Sequence, residues 1–186
     1  MDKTFIEGQL NNFKSLCDKA QLLIFENIIN SNIMGVKFFD VLSIDDDVAK
    51  LSPIEQILYI AFQIYDIDSN QTTPKPSYID KQHLIECNGK TYITDFFIDL
   101  FLSKEGEGMV EYELKKPIII ECDGFEYHST KKQMTHDYER ENNLKTAGYN
   151  VFRFTGSQIY SNPFECVKTI YKELENIKNN KEYEEI

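Results

Sequence analysis

TDFFID (residues 94–99) and IIIECDG (residues 118–124) set acidic side chains inside two runs of β-branched and aromatic residues. A strand sends every second side chain to the same face. Alternation therefore predicts that Asp95 and Asp99 share one face of the first run, and Glu121 and Asp123 one face of the second. Carboxylates are costly in strands this apolar, because burying an unpaired charge is strongly disfavoured. A divalent cation held between them removes that penalty. The pattern reads first as a metal site.

Outward from these strands, a hairpin precedes the first. YIDKQHLIEC meets Asn88-Gly89, a strong two-residue turn signal, and KTYITDFFIDLFL returns. SKEGEG turns the chain again, MVEYELKK extends the sheet, and PIIIECDG forms the next strand. A helix over about 130–147 stops at Gly148, well placed for a C-terminal cap, and YNVFRFT supplies a further strand. Asn162-Pro163-Phe164-Glu165 opens a last helix bearing Phe164, Val167, Ile170, Tyr171 and Leu174. Upstream, Ser52-Pro53-Ile54-Glu55 opens a helix with a capping box and proline at its first position. Ile6, Leu10, Phe13, Cys17, Ala20, Ile24 and Ile28 predict one long amphipathic helix over about 4–30, packed on the core or used as a dimer seam.

The expected architecture is α/β: a mixed central sheet flanked by helices, since the last strand must cross over a helix. Residues 1–50 are read as a helical extension, 51–178 as the main domain, and 179–186 as a fraying acidic tail. DIDSNQTTPKPS (66–77) hints at a calcium loop, but Gln71 stands at the sixth position and Ser77 at the twelfth, which excludes it.

Composition narrows the function. The chain of 186 residues has 41% hydrophobic and 27% charged residues, an ordinary globular balance. No run reaches the roughly 18 apolar residues of a membrane span, and MDKTFIEGQL lacks a signal-peptide pattern, so a cytoplasmic location is expected. Cys17, Cys87, Cys122 and Cys166 are scattered without CxxC pairs, which argues against disulfides and structural zinc. A net charge of −11 argues against a broad nucleic-acid coat. However, many acids lie away from the candidate site, in Asp45–Asp47 and the tail. The two arginines, Arg140 and Arg153, both follow the acidic strands, where bidentate phosphate contacts would be useful.

The ordered set SPIEQIL, DFFID, IIIECDGFEYH and HDYERENNLKTAGYNVFRF resembles the PD-(D/E)XK nuclease superfamily over roughly residues 52–175. Its core order is helix, three strands, helix, strand (αβββαβ). Within it the text is similar to the very-short-patch-repair mismatch endonucleases and related small restriction-like nucleases. The resemblance implies a Mg²⁺- or Mn²⁺-dependent endonuclease acting on DNA, with RNA as the weaker alternative. It implies a cation held by Asp95, Glu121 and the backbone carbonyl of Cys122. Asp123 stands where the superfamily usually has lysine, which leaves a catalytically silent module binding nucleic acid or a protein partner as the rival reading.

His128 matches a histidine near the mismatch-endonuclease active site, a group suited to proton transfer near neutral pH. Its bland alternative is a surface histidine. Glu55 matches a helical glutamate that supports the metal through water, although a capping box wants glutamate there anyway. Asp137, Arg140 and Leu144 share one helix stripe; Leu144 should face the sheet and bring Asp137 and Arg140 to the crevice. Arg140, Arg153, Lys131 and Lys132 are the candidate phosphate contacts. Nothing reads base edges in the manner of a helix-turn-helix or zinc finger. Cutting both strands with one site per chain would suggest a homodimer.

Overall fold

Asn88 and Gly89 take φ values of +51° and +70°, so both central residues of the hairpin turn are left-handed, as a type I′ turn requires. The computed structural model describes residues 3–30, 46–68, 74–124 and 131–186. In chain order these form α1 (Lys3–Ser15), α2 (Asp18–Asn30), a 3-10 turn (Val48–Lys50) and α3 (Pro53–Asp68). Strands β1 (Lys75–Pro76), β2 (Asp80–Cys87), β3 (Lys90–Glu105) and β4 (Gly108–Asp123) follow. The chain then forms α4 (Lys131–Thr146), β5 (Asn150–Thr155), α5 (Gly156–Ser161), α6 (Pro163–Asn180) and β6 (Tyr183–Glu185). It divides into two compact units: Met1–Gln71 with Ile159–Val167, and Thr72–Gln158 with Lys168–Ile186. By this division α3 groups with the N-terminal helices.

In the first unit the expected long helix is two. The break falls at Leu16–Cys17, where side chains take the backbone groups that a continuous helix would have used. Cys17 N–H donates to Gln56 Oε1 at 2.7 Å, and Gln21 Nε2 donates to the Leu16 carbonyl at 2.7 Å. Gln56 is buried, and its amide also donates to the Leu51 carbonyl at 3.0 Å, so its polar atoms are satisfied. α2 packs on α3 through a face that includes Ala20, Leu23 and Ile24. The capping box forms: Glu55 N–H donates to Ser52 Oγ at 3.5 Å and Ser52 N–H donates to Glu55 Oε2 at 3.3 Å, with Ser52 Oγ also donating to Glu55 Oε1 at 2.6 Å.

The second unit is a six-stranded mixed sheet flanked by helices, as expected from sequence. β3 and β4 are its long central strands, antiparallel to each other. β2 and β1 pair with the free edge of β3; β5 (parallel) and β6 (antiparallel) share the free edge of β4. Ile118, Ile119 and Ile120 are fully buried, so β4 is covered on both faces here, each isoleucine stabilising by about 1.5–3 kcal/mol. On one face Ile119 and Phe97 cluster with Ile85, Cys87, Tyr92 and Leu144 of α4. On the other, α6 is tied down: Asn150 donates to Glu173 at 2.6 Å, and Lys178 donates to Ser103 at 2.6 Å.

MVEYELKK and PIIIECDG join into one strand, with the pairing to β3 shifting register between Ile98 and Leu100. Asp99 lies at that shift and is exposed. The tail, read as fraying, instead pairs as β6 along Tyr112–Leu114, with Tyr183 packed against Phe101 and Tyr112.

Alternation also slips once on β3. Tyr92 and Phe97 lie five residues apart, yet they enter the same cluster beneath α4. An odd spacing puts residues on opposite faces of a regular strand. The slip falls in the stretch that contains Asp95.

Candidate active site

β3 and β4 are paired only as far as Phe96↔Ile120. Beyond that rung β4 runs on to Asp123 beside β5, whereas β3 leads back to Lys90 beside β2. The two strands part here, and the acids stand at the fork. Asp95 bridges it: Cys122 N–H donates to Asp95 Oδ2 at 2.6 Å, a side chain accepting where the sheet would otherwise offer a carbonyl.

Glu121 is the most buried carboxylate of the group, at 8% exposure. Arg140, reaching over from α4, donates to Glu121 Oε1 at 2.7 Å and to the Ile93 carbonyl, so one guanidinium spans the fork from β4 to β3. It also lies 5.9 Å from the centroid of the Tyr92 ring, whose hydroxyl accepts from Asn143 at 2.9 Å. Burial pushes the Glu121 carboxyl up to about 8; Arg140 opposes this, Asp95 adds to it, Arg153 opposes and Asp123 adds.

Asp123 and Arg153 form the second pair. Arg153 Nε and Nη2 donate to Asp123 Oδ2 and Oδ1 at 3.0 and 2.6 Å, a bidentate fork, and Nη1 lies 3.6 Å from Glu141 Oε2. That hydrogen bonding holds the Arg153 guanidinium above its ordinary range against its own burial, with Asp123, Asp137 and Glu121 favouring its charge. Two of the strand carboxylates, Glu121 and Asp123, thus pair with the chain's two arginines.

The structure brings together Asp95, Glu121, Cys122, Asp123, Arg140 and Arg153, all from the second unit. Leu144 faces the sheet as its stripe requires. Glu55 lies in the first unit, its carboxylate engaged by Ser52. Lys131 and Lys132 begin α4, and their side chains, like all of His128, lie outside the described residues. Three contributors escape sequence reading. Tyr92 sits before the slip in alternation, Glu141 is hidden among the polar residues of α4, and the Ile93 carbonyl has no side-chain signature. Only Glu141 left a trace, as the neighbour of Arg140.

A restriction-endonuclease-like family, described as REase_MTES_1575, matches residues 81–174, half of the chain and every element that builds the fork. The chain belongs to this family. No curated protein and no solved structure matches it. For a restriction-endonuclease-like nuclease, the fork between β3 and β4, with acids from both strands and a helix laid across, is the natural active-site candidate.

Proposed function

We propose that this protein is a Mg²⁺-dependent (or Mn²⁺-dependent) endonuclease that hydrolyses DNA phosphodiester bonds. The observation that carries the reading is the meeting of Asp95, Glu121 and the Cys122 backbone where β3 and β4 part, inside the family match. Asp95, Glu121 and the Cys122 carbonyl would hold the cation. Their oxygen donors suit a hard divalent ion. Among the described residues no three His, Cys, Asp or Glu side chains form a metal-binding group, so the proposed donor set is two carboxylates and one carbonyl. The burial that pushes the Glu121 carboxyl up to about 8, with Asp95 and Asp123 adding to it, is the kind of penalty a bound cation offsets. When bound, the ion would lower the pKa of coordinated water and neutralise phosphate oxygens.

The chain's own groups do the rest. Arg140 and Arg153 supply positive charge at the fork and, with Lys131 and Lys132 at the start of α4, would contact the DNA phosphates. The bidentate Arg153 fork on Asp123 brings a cation to the position where the superfamily usually has lysine. His128 is a candidate for proton transfer. A placement among the very-short-patch-repair enzymes rests on the ordered text SPIEQIL, DFFID, IIIECDGFEYH and HDYERENNLKTAGYNVFRF, with His128 inside it.

Plasmid and oligonucleotide cleavage with Mg²⁺ or Mn²⁺ tests the reading: wild type should cut, and Asp95→Ala and Glu121→Ala should not. Wild-type activity that persists in a chelator refutes it. One observation favours the rival silent module, namely that both arginines are bound to carboxylates. Calorimetric titration with Mn²⁺ separates the two, since a silent module binds weakly or not at all.

A further inference from the structure

β2 carries a constellation that the fork described above leaves unused. Gln82 has φ +53° within an otherwise extended strand, a left-handed conformation that residues with a Cβ rarely adopt. The ladder passes from Lys81↔Phe96 to His83↔Thr94 with no change of register. β2 therefore slips together with β3, at the rung that holds Gln82 and Asp95. The slip turns His83 onto Phe97: the two rings stack with centroids 4.1 Å apart and planes 5° from parallel. His83 Nδ1 lies 2.6 Å from Asp80 Oδ2.

A carboxylate at Nδ1 fixes the tautomer that leaves the Nε2 lone pair free. Stacking and pairing together hold the imidazole in one orientation, and among the described residues Nε2 takes no partner. The side chain is 33% exposed, so a substrate can reach it. His83 lies one rung from Asp95, which puts their Cα atoms roughly 6 Å apart by strand geometry. An apolar side chain would serve equally well to cover Phe97. It would explain neither the Asp80 partner nor the left-handed residue that re-aims the strand, and such backbone outliers gather at functional sites.

We infer that His83, oriented by Asp80, is a further catalytic residue of this fork, acting through Nε2 as general base in phosphodiester hydrolysis; this rests on the nuclease reading. Nε2 takes a proton from the attacking water as the water oxygen bonds to phosphorus. The bond from phosphorus to the leaving sugar oxygen breaks, and that oxygen takes a proton from solvent. Asp80, 2.6 Å from Nδ1, holds the ring in place through the step. The other ionisable groups that face this stretch are Lys81 on β2 itself, Asp95 on β3 and Arg140, whose guanidinium reaches β3 at the Ile93 carbonyl.

The test is single-turnover cleavage of a DNA duplex with Mn²⁺ by wild type, His83→Ala, His83→Gln and Asp80→Asn. His83→Ala should lose about 10²–10³-fold in rate, and added imidazole should restore part of it. His83→Gln, which keeps a polar side chain beside Asp80, should fold like wild type and lose a comparable factor. DNA affinity, measured by fluorescence anisotropy in Ca²⁺, should stay within about twofold for all variants, because the step is made only in the transition state. Asp80→Asn should lose about 10-fold. Wild-type rates in His83→Gln, or a His83→Ala defect that imidazole does not relieve, overturn the assignment while leaving the nuclease reading intact. Wild type that cuts no DNA with either metal overturns both.

Discussion

Neutralising Glu121 should make the metal-free protein more stable at alkaline pH and flatten its pH dependence. The folded carboxyl is raised to about 8 from an ordinary 4.5, mainly because burial disfavours its charge. Between those values the native state holds a proton that the unfolded chain has released. Stability must therefore fall as pH rises through that window, being free of the penalty below 4.5 and carrying all of it above about 8. At about 1.4 kcal/mol per pH unit, a gap of this size is worth about 3–5 kcal/mol. Glu121→Gln keeps the shape and removes the titration. Urea unfolding in EDTA at pH 5, 6, 7 and 8 measures the difference: the two proteins should converge at pH 5 and diverge by a few kcal/mol at pH 8. Adding Mg²⁺ at pH 8 should then raise the wild-type midpoint and leave the variant's nearly unchanged, because a ligand stabilises only the state that binds it. Parallel wild-type and variant profiles across this range would refute the reasoning.

Three more outcomes are expected. Gln56→Leu, which orphans Cys17 N–H and the Leu51 carbonyl, should cost about 2–3 kcal/mol in chemical denaturation without altering the circular-dichroism signal of the strands. Arg140→Met removes the guanidinium that spans Glu121 and the Ile93 carbonyl. Because Glu121 can take up a proton in compensation, the loss should be about 1–2 kcal/mol at pH 6 and larger at pH 8, read from thermal midpoints at the two pH values. Tyr183→Ala strips the ring packed on Phe101 and Tyr112 and should cost about 1–2 kcal/mol; an unchanged urea midpoint would show that β6 adds nothing.

Much of the fold was legible because local chemistry and periodicity agreed. Asn88-Gly89 demanded a hairpin, Ser52-Pro53-Ile54-Glu55 a helix start, and the isoleucines of 118–120 a buried strand; each forms. The misses share a cause: a group distant in sequence decides them. Phe13, Cys17 and Ala20 keep a helical spacing straight through Leu16–Cys17, but Gln56, 39 residues on, captures the Cys17 amide and breaks the helix. The tail looked too charged to order, yet Tyr183 alternates with glutamates and finds an aromatic seat on β3 and β4. One miss was readable. Thr155-Gly156-Ser157-Gln158 is a capping box, its hydroxyl and glutamine side chain bonding reciprocally, and it starts α5. At the candidate site the acids themselves could be read off. Strict alternation could not show that β3 slips near Asp95 or that the two arginines pair with Glu121 and Asp123, because both depend on how α4 and the strands come together.

The parting of β3 from β4 has a dynamic corollary. Along Ile118–Ile120 the amide and carbonyl groups of β4 are locked into neighbours on both edges, so exchange with deuterated solvent there must wait for two ladders to open. Past Ile120 the ladder to β3 is gone, and the Cys122 amide is held instead by the Asp95 carboxylate. The amides just past Ile120 should therefore exchange ahead of those at Ile118–Ile120, so the two strands can loosen where they part while the doubly paired stretch beneath stays closed.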